Sequence, residues 1–345
     1  MEQTEKSQAL LQDVEAFCQE IRPHEEICYV EHAFNDRVVP LARKHNLLAM
    51  PISERYGGRG ADAATYLRAL VRIGREGTGV RTFFSGHTSI GAYPISKWGN
   101  EDQKQRYLTA AARGEKILAF GLTEPDAGSN PLEMTSTYRK QGDSYILDGV
   151  KYLISNGGIC DAVITFAYPA DSDGKKMAGS RISAFIVDRG PGFVSEDLTA
   201  KMGMPTSNTA MFEMSNCRVP LTNLLGEEGQ GFRIAMGTLV SGRLSVAAGC
   251  LGVIEDCLEE CLNYCKERSQ HGKPIGKHQL VQEHLAAIEM ARFTSDVVLE
   301  DAARAKDHAD RHPGDAKAQS RADMCAAMAK LHVTNAAWQA ADHAV

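Results

Sequence analysis

The chain has 345 residues, more than one ordinary hydrophobic core accommodates, so its length predicts two or three domains. Its 38 Lys and Arg against 44 Asp and Glu give a net charge of -6, which excludes the basic footprint of a nucleic-acid binder. Mean hydropathy is -0.28, and no run approaches the ~18 apolar residues that cross a bilayer, so no membrane span is expected. Nine cysteines without C-x-x-C pairs favour a reducing compartment. Because the N-terminus resembles neither a signal nor a transit peptide, the chain is expected in the cytoplasm or, as a mature protein, in the mitochondrial matrix.

The first third of the chain has the pattern of helices. Apolar residues from Leu10 to Ile21 recur at helical spacing, and Pro23 lies just beyond them. Two further helices are predicted, one over 36–45 and one starting near Asp62. Asn100, followed by two acidic residues, has the character of an N-cap that opens another helix. These elements predict an all-α N-terminal domain over residues 1–116.

From Ile117 the pattern changes to short segments that are rich in β-branched and aromatic residues. Strands are predicted at 117–123, 134–139, 144–147, 151–155, 162–167, 181–187 and 210–214. Asp148-Gly149 is a turn signal, so the segments 144–147 and 151–155 are predicted to pair as a hairpin. The prediction is an antiparallel β-domain over residues 117–226.

The helical period returns at Gly231 and continues to the end of the chain. Long helices are predicted over 232–266, 276–310 and 316–345, separated by the polar stretch 268–274 and by a His-Pro-Gly break at 312–314. The order of helices, strands and helices is not the alternation of a doubly wound sheet. It predicts an α+β fold in which residues 227–345 form a C-terminal helical bundle.

Several motifs that suggest chemistry are weak in this chain. The glycine-rich segments 57–60 and 226–231 follow no convincing strand of a βαβ unit, so they do not predict a dinucleotide fingerprint. The segment 86–91 misses the G-x-S-x-G nucleophile elbow by one residue. Four cysteines share one helical face and are predicted to pack as small apolar residues: Cys250, Cys257, Cys261 and Cys265. Three histidines, at positions 271, 278 and 284, are too loosely spaced for a zinc site, and no metal is predicted.

The strongest segment is 120–130, with the sequence FGLTEPDAGSN. A loop with Thr, Glu, Ser and two glycines that leaves a strand can present hydroxyls and backbone N–H groups to a polar ligand, or it can be a structural turn. The segment resembles the signature of the acyl-CoA dehydrogenase flavoprotein family. Other segments resemble the family in the family's own order: 56–58, 151–158, 219–220, 224–226, 229–232, Arg243, 247–249 and 267–279. The resemblance covers nearly the whole chain and implies a helical, β and helical three-domain fold.

The resemblance also implies FAD between the β-domain and the C-terminal bundle, with its phosphates reaching a neighbouring subunit. Phe120, Leu122 and Thr123 would then bond the pyrimidine edge of the flavin, and Ser155 would supply a second hydroxyl. Leu153 stands where the family often has Trp, so no aromatic wall is expected beside the flavin. The remaining implied contacts are Arg268 at the diphosphate, Gln270, His271, His278 and Gln279 in the same cofactor-binding stretch, Ser129 near the CoA chain and the cofactor, and Arg243 near the CoA nucleotide.

The implied reaction is the α,β-dehydrogenation of an acyl-CoA thioester. In the family a carboxylate removes the proton at Cα while hydride leaves Cβ for flavin N5. The family's usual glutamate lies in a Y-E-G-T-like segment beyond the third C-terminal helix, and the sequence stops at Val345, before that segment. The position of an alternative base falls at Gly242. No catalytic residue is therefore assigned, and Glu124 is expected to be structural.

The missing segment has two competing explanations. The chain is either a fragment of an active dehydrogenase, with a C-terminal bundle truncated at its end, or a short and catalytically inactive relative. Helical apolar spacing that persists to the last residue favours the fragment.

Arg81 and Ser85 bear on the substrate. They resemble an Arg–Ser pair of the glutaryl-CoA dehydrogenase branch, which meets the distal carboxylate of the substrate, and so imply a short-chain or dicarboxylyl acyl-CoA. The alternative is a surface arginine, because Arg72 and Arg75 lie close by.

The resemblance also suggests partners and competing activities. An electron-transfer flavoprotein is the expected electron acceptor, and a homotetramer or homodimer is the expected assembly. The alternatives are a monooxygenase or oxidase of the same fold that uses O2, and a scaffold without flavin.

Overall fold

The computed structural model describes residues 2–345, with side-chain surroundings from Glu5 onward. Its N-terminal third consists of helices α1 (Glu2–Glu31), α2 (Val38–Lys44), α3 (Ala63–Glu76), α4 (Thr78–Phe84), α5 (Tyr93–Trp98), α6 (Glu101–Gln103) and α7 (Thr109–Ala112). Two π-helical stretches, Ser85–Ala92 and Lys104–Leu108, continue α4 into α5 and α6 into α7.

Two predicted helix starts are confirmed. The Asp62 side chain accepts a hydrogen bond from the backbone N–H of Thr65, and Asn100 and Gln103 form a reciprocal capping box. The predicted end of the first helix is wrong, because α1 runs through Pro23. Ile21 and Glu25 are buried on either side of the proline, so tertiary packing holds the helix together despite the lost backbone hydrogen bond.

The middle of the chain forms one mixed sheet. Its strands are β1 (Leu118–Gly121), β2 (Thr137–Gln141), β3 (Ser144–Ser155), β4 (Ala162–Pro169), β5 (Ser183–Asp188), β6 (Phe193–Asp197), β7 (Thr209–Pro220) and β8 (Leu224–Leu225). The order is β6-β7-β3-β2-β4-β5-β8, with β1 beside β4. Strands β1 and β2 run parallel to β4, so the prediction of a purely antiparallel domain is wrong in these two pairings. Strand β6 was not predicted.

The predicted hairpin at Asp148-Gly149 is also wrong. Residues 144–155 form a single strand, and the pairing of β3 with β7 shifts its register between Leu147 and Gly149. A Cβ atom at Gly149, where φ is +149°, would lie 2.2 Å from the Ser136 hydroxyl, so the glycine permits close passage rather than a turn. The chain reverses instead at Gly142, where φ is +62°, between paired Gln141 and Ser144.

The C-terminal part contains the three long helices that the sequence predicts. They are α8 (Gly231–Glu267), α9 (Gln279–Arg311) and α10 (Ala316–Ala344), and a small hairpin of β9 (Ser269–Gln270) and β10 (Lys273–Pro274) separates the first two. Together with the N-terminal helices and the sheet they give an α+β fold.

The sequence of helix α8 contradicts the expectation that no run of the chain is apolar enough to cross a membrane. By length and composition it is apolar enough to cross a membrane, with a mean hydropathy of 1.5 over its best 18-residue window. However, 56% of that window is buried within the protein, where α8 packs against α3, α9 and α10. The apolar run therefore has the position of a core helix.

Helices α3 and α8 approach each other closely. A Cβ atom on Gly74 of α3 would lie 2.7 Å from the carbonyl oxygen of Gly249 on α8, so the two glycines allow backbone contact at this crossing. The close crossing fixes α8 against the N-terminal helices. Other faces of the same helix reach the sheet, and this places α8 at the junction of all three parts of the chain.

Candidate functional site

A cavity of about 380 Å³ lies between the end of β1, the end of β3 and helix α8. Its lining residues are Ile90, Phe120, Leu122, Thr123, Gly128, Ser129, Pro131, Leu153, Ile154, Ser155, Met236, Leu239 and Arg243. Seven of them are residues that the resemblance assigned to cofactor or substrate: Phe120, Leu122, Thr123, Ser129, Leu153, Ser155 and Arg243. The fold thus brings together side chains from segments more than a hundred residues apart.

The loop after β1 is held against β3 by backbone hydrogen bonds. The Tyr152 N–H donates to the Thr123 carbonyl at 2.9 Å. Glu124 and Ala127 exchange two backbone hydrogen bonds, of 3.0 and 3.2 Å, which close a tight turn directly after Thr123. Thr123 itself is half-buried, so its hydroxyl lies at the cavity wall in a fixed stretch of backbone.

A buried ion pair lies beneath this loop. The Lys151 ammonium, which is fully buried, donates to the Glu124 carboxylate at 2.8 Å. The same carboxylate accepts hydrogen bonds from the backbone N–H and the hydroxyl of both Thr135 and Ser136. Burial opposes the charge on Glu124, but Lys151 and these donors outweigh burial and hold its pKa at about 2. Glu124 is therefore an ionised structural group, and sequence reasoning missed its partner Lys151.

The last residues of β3 depart from regular strand geometry. The register with β7 shifts between Lys151 and Ile154, and Leu153 within this bulge has φ of +60° with 58% of its surface exposed. Ser155 ends the strand half-buried. The next residue, Asn156, donates its side-chain N–H to the Phe83 carbonyl at 3.0 Å. The bulge turns Leu153 and Ser155 toward the cavity, and Asn156 anchors the strand end to α4.

Five other predicted cofactor residues lie elsewhere on the chain. Arg268, Gln270, His271, His278 and Gln279 are on or beside the β9–β10 hairpin and at the start of α9, and none of them lines the cavity. His278 Nε2 lies 3.2 Å from the Gln270 carbonyl oxygen, and its ring is 6.0 Å from that of His271. These residues form a second polar group, and only His278 among them is half-buried rather than exposed.

Arg81 and Ser85 are inside the protein, so the alternative of a surface arginine is wrong. Each is 7% exposed, and Arg81 Nη1 donates to Ser85 Oγ at 3.1 Å. Burial lowers the pKa of Arg81. Arg72 and Arg75 pair with Glu15 and Glu259, whereas no carboxylate from Glu5 onward lies within ion-pairing distance of Arg81.

Arg81 packs against helix α8 and is not among the residues that line the cavity. A Cβ atom on Gly249 would lie 2.4 Å from Arg81 Nε, so this glycine leaves the room that the guanidinium occupies. Neither Arg81 nor Ser85 lines the cavity. Ser85 does begin the π-helical stretch in which Ile90 reaches the cavity.

The cavity suits a flat heteroaromatic group with a polar edge. Thr123 and Ser155 offer hydroxyl donors, and Leu153, Met236 and Leu239 offer apolar surface. A neighbouring cavity of about 600 Å³ shares Met236 and Arg243 with it and adds two basic and two acidic side chains, so an elongated ligand has space beside the first group. Among the residues whose side chains are described, no cluster of three or more His, Cys, Asp or Glu has the arrangement of a metal site.

Comparison with known proteins identifies the family. Residues 4–115, 119–217 and 229–345 match the N-terminal, middle and C-terminal domains of acyl-CoA dehydrogenase. An acyl-CoA dehydrogenase of Bacillus subtilis is 41% identical over 268 residues, which cover 77% of this chain and 70% of that protein.

Solved structures agree with the family match. A chain in a structure described as the electron transferring flavoprotein of Acidaminococcus fermentans has a TM-score of 0.90 and 34% identity, covering 99% of this chain and 86% of that one. A glutaryl-coenzyme A dehydrogenase in complex with glutaryl-CoA has a TM-score of 0.87 and 32% identity, covering 98% and 84%.

A third structure bears on the cofactor. An acyl-CoA dehydrogenase from Bacillus anthracis, complexed with FAD, has a TM-score of 0.86 and 27% identity, covering 99% of this chain and 59% of that one. Such complexes support FAD as the cofactor, in agreement with the polar and apolar walls of the cavity. The chain belongs to the acyl-CoA dehydrogenase family of flavoprotein oxidoreductases.

Proposed function

We propose that this chain binds FAD and acts in the α,β-dehydrogenation of a short-chain or dicarboxylyl acyl-CoA thioester. The observation that carries the proposal is the meeting of Thr123, Leu153, Ser155 and Arg243 around one cavity. These residues come from the signature loop, the end of β3 and α8. In an isolated strand or helix none of them would suggest a cofactor site.

Thr123 and Ser155 would hold the polar edge of the flavin through their hydroxyls, and Leu153 would cover part of its apolar surface. Hydrogen-bond donors at that edge favour the electron-rich reduced ring. When bound, FAD supplies the electron acceptor for the hydride that leaves Cβ of the substrate. The residues of the chain contribute binding, orientation and the exclusion of water.

The mostly exposed polar group on and beside the β9–β10 hairpin supports an assembly of several chains. Arg268 carries a permanent cation suited to a diphosphate, but it lies away from the cavity lined by Thr123. We propose that Arg268, Gln270, His271, His278 and Gln279 meet the phosphate end of FAD bound in a neighbouring subunit of a homodimer or homotetramer.

Arg81 supports a dicarboxylyl substrate. A buried guanidinium without a carboxylate partner is costly, and a second carboxylate on the ligand would offset that cost. A simple fatty acyl chain would leave the cation unpaired. Ser129 and Arg243, at the cavity wall, would bind the CoA part of the thioester.

The proposal assigns no catalytic base. From Glu5 onward no Asp or Glu lines the cavity, and the carboxylate of Glu124 is occupied by Lys151 and by donors from two further residues. Gly242 has no side chain, and a Cβ atom there would lie 3.1 Å from the Ile90 side chain. Binding of thioesters is therefore a more direct test than turnover.

The test is an anaerobic titration of the FAD-loaded protein with glutaryl-CoA and with butyryl-CoA. Binding is read from perturbation of the flavin band near ~450 nm, and bleaching of that band reports reduction. We expect both thioesters to perturb the band and glutaryl-CoA to bind more tightly. A flavoprotein whose band responds to neither thioester would refute the proposed function.

Arg81→Met tests the dicarboxylyl part. We expect at least a tenfold weaker affinity for glutaryl-CoA, because its second carboxylate loses the cation, and an affinity for butyryl-CoA that changes less than twofold. Arg75→Met is the matched control, since Arg75 already pairs with Glu259 at the surface. Equal effects of Arg81→Met on both thioesters would show that Arg81 does not select the substrate.

Electron transfer onward is a separate part of the proposal. One structural relative is described as an electron transferring flavoprotein, and we propose a protein of that class as the electron acceptor. The reduced protein should then be reoxidised faster by an electron-transfer flavoprotein than by air. Faster reoxidation by air would favour an oxidase or monooxygenase instead.

A further inference from the structure

We propose that the buried Lys151–Glu124 pair positions the two polar walls of the FAD cavity relative to each other. The inference rests on the proposed function, because it assigns a role within the same cofactor site. Lys151 and Glu124 do not line the cavity. They are therefore positioning residues that act through their neighbours in the chain.

The placement of the pair carries the argument. Glu124 directly follows Thr123 in the loop after β1, and Lys151 lies four residues before Ser155 on β3. Glu124 is therefore connected to the wall that contains Thr123, and Lys151 is connected to the wall that contains Ser155. Their contact of 2.8 Å is the only side-chain ion pair between these two segments among the residues described from Glu5 onward. Beside it lies a single backbone hydrogen bond, from the Tyr152 N–H to the Thr123 carbonyl.

The hydrogen-bonding capacity of the Glu124 carboxylate is filled. Glu124 accepts five hydrogen bonds, one from Lys151 and four from the backbone and hydroxyls of Thr135 and Ser136. Lys151 is fully buried, and beyond Glu124 its ammonium contacts only the Met134 sulfur, at 3.9 Å. A buried ammonium with one carboxylate partner is restricted to positions within hydrogen-bonding distance of that carboxylate. The pair therefore fixes both segments laterally as well as holding them together.

Fixing the loop after β1 relative to β3 matters because β3 is irregular just after Lys151. The register with β7 shifts between Lys151 and Ile154, and a slip of this bulge by one residue would turn Ser155 to the opposite face of the sheet. Apolar side chains can pack again after a slip of this kind. A slip would separate Lys151 from Glu124, and each charge would then lose its partner. A buried ion pair is a weak source of stability, and the best-attested use of such a pair is to fix register.

Three variants separate positioning from stability. Lys151→Met and Glu124→Gln each leave one buried charge or mismatched donor, so both should lower the melting temperature and weaken FAD binding. The double variant Lys151→Met with Glu124→Gln removes both charges, and its melting temperature should rise above that of either single variant, although an amide accepts fewer of the four bonds from Thr135 and Ser136. Its dissociation constant for FAD should nevertheless stay at least tenfold above the wild-type value, because the link between the two walls is still absent.

The matched control is the exposed pair Arg139–Asp148, at 2.7 Å, which also joins two strands of the sheet. Its neutral double variant, Arg139→Met with Asp148→Asn, should leave FAD binding unchanged within twofold. FAD affinity is measured by flavin fluorescence, and visible circular dichroism of the bound flavin reports its surroundings. A purely structural pair would leave that spectrum unchanged in the fraction of protein that binds FAD.

The outcomes are distinct. A Lys151/Glu124 double variant that is more stable than either single variant, with weak FAD binding and an altered flavin spectrum, supports the positioning role. The same stability with wild-type FAD binding overturns it, and so do single variants that bind FAD like the wild type. Wild-type protein that binds no FAD would instead refute the proposed cofactor site, and the positioning role would fail with it.

Discussion

His87 offers a test of how the buried polar groups beside the cavity affect stability. The side chain is completely buried in the π-helical stretch Ser85–Ala92, and its Nδ1 accepts a hydrogen bond from the backbone N–H of Leu118 at 3.1 Å. Leu118 is the first residue of β1, the strand that leads to Phe120. Burial lowers the pKa of His87 from 6.5 to about 4, so the ring is neutral at neutral pH.

The magnitude follows from this pKa. Between about pH 6.5 and 4 the unfolded chain takes up a proton on His87 that the folded protein does not, so stability falls as the pH falls. At ~1.4 kcal/mol for each pK unit, the complete effect is about 3 kcal/mol, of which about 2 kcal/mol should be lost by about pH 4.5. His87→Asn keeps an acceptor near the Nδ1 position but cannot titrate, so the variant should lack this part of the pH dependence.

The assay is urea unfolding of wild type and His87→Asn at several pH values from neutral to about pH 4.5. Other groups titrate in both proteins, so the difference between their unfolding free energies isolates His87. His24→Asn, at an exposed histidine of α1, is the control and should leave the profile of the wild type unchanged. Parallel profiles for the wild type and His87→Asn would refute the depressed pKa of His87.

Two further predictions concern groups packed near the N-terminal helices. Gly249→Ala places a Cβ atom 2.4 Å from Arg81 Nε and should cost about 1–3 kcal/mol in urea unfolding, whereas Gly190→Ala, with no atom within 4 Å, serves as its control. Equal stability of these two variants would contradict the close contact. Burial raises the pKa of Glu25, although hydrogen bonds from Thr206 and Asn35 oppose it. Wild-type stability should therefore fall relative to Glu25→Gln as the pH rises from about 4.5, and a constant difference across that range would disprove the raised pKa.

Local patterns predicted much of the fold because the elements involved are long or capped. The helical period gives α8, α9 and α10 to within a few residues, and Asp62 and Asn100 mark helix starts that the structure confirms. Errors arise where tertiary contacts override a local signal. Packing on both sides of Pro23 carries α1 through the proline, and pairing with β7 carries β3 through Asp148-Gly149.

The site was predictable only as far as a resemblance could assign residues. Phe120, Thr123 and Ser155 were named from the sequence, and they meet at one cavity. Lys151 begins the family-like segment 151–158, but a lysine in a strand carries no sign of its burial. The burial of Arg81 was equally invisible, since the glycine that makes room for it lies on another helix.

The backbone conformation of Leu153, at the cavity wall, lowers the stability of the fold. A non-glycine residue at φ of +60° is disfavoured by about 1–2 kcal/mol, whereas glycine adopts this conformation freely. The most stable choice at this position is therefore not the one that the chain carries, and the leucine adds apolar surface at the cavity instead. A designer who optimised stability alone would replace Leu153 and so remove part of the cavity wall. Conformational strain at an exposed position can therefore draw attention to a cavity before any ligand is known.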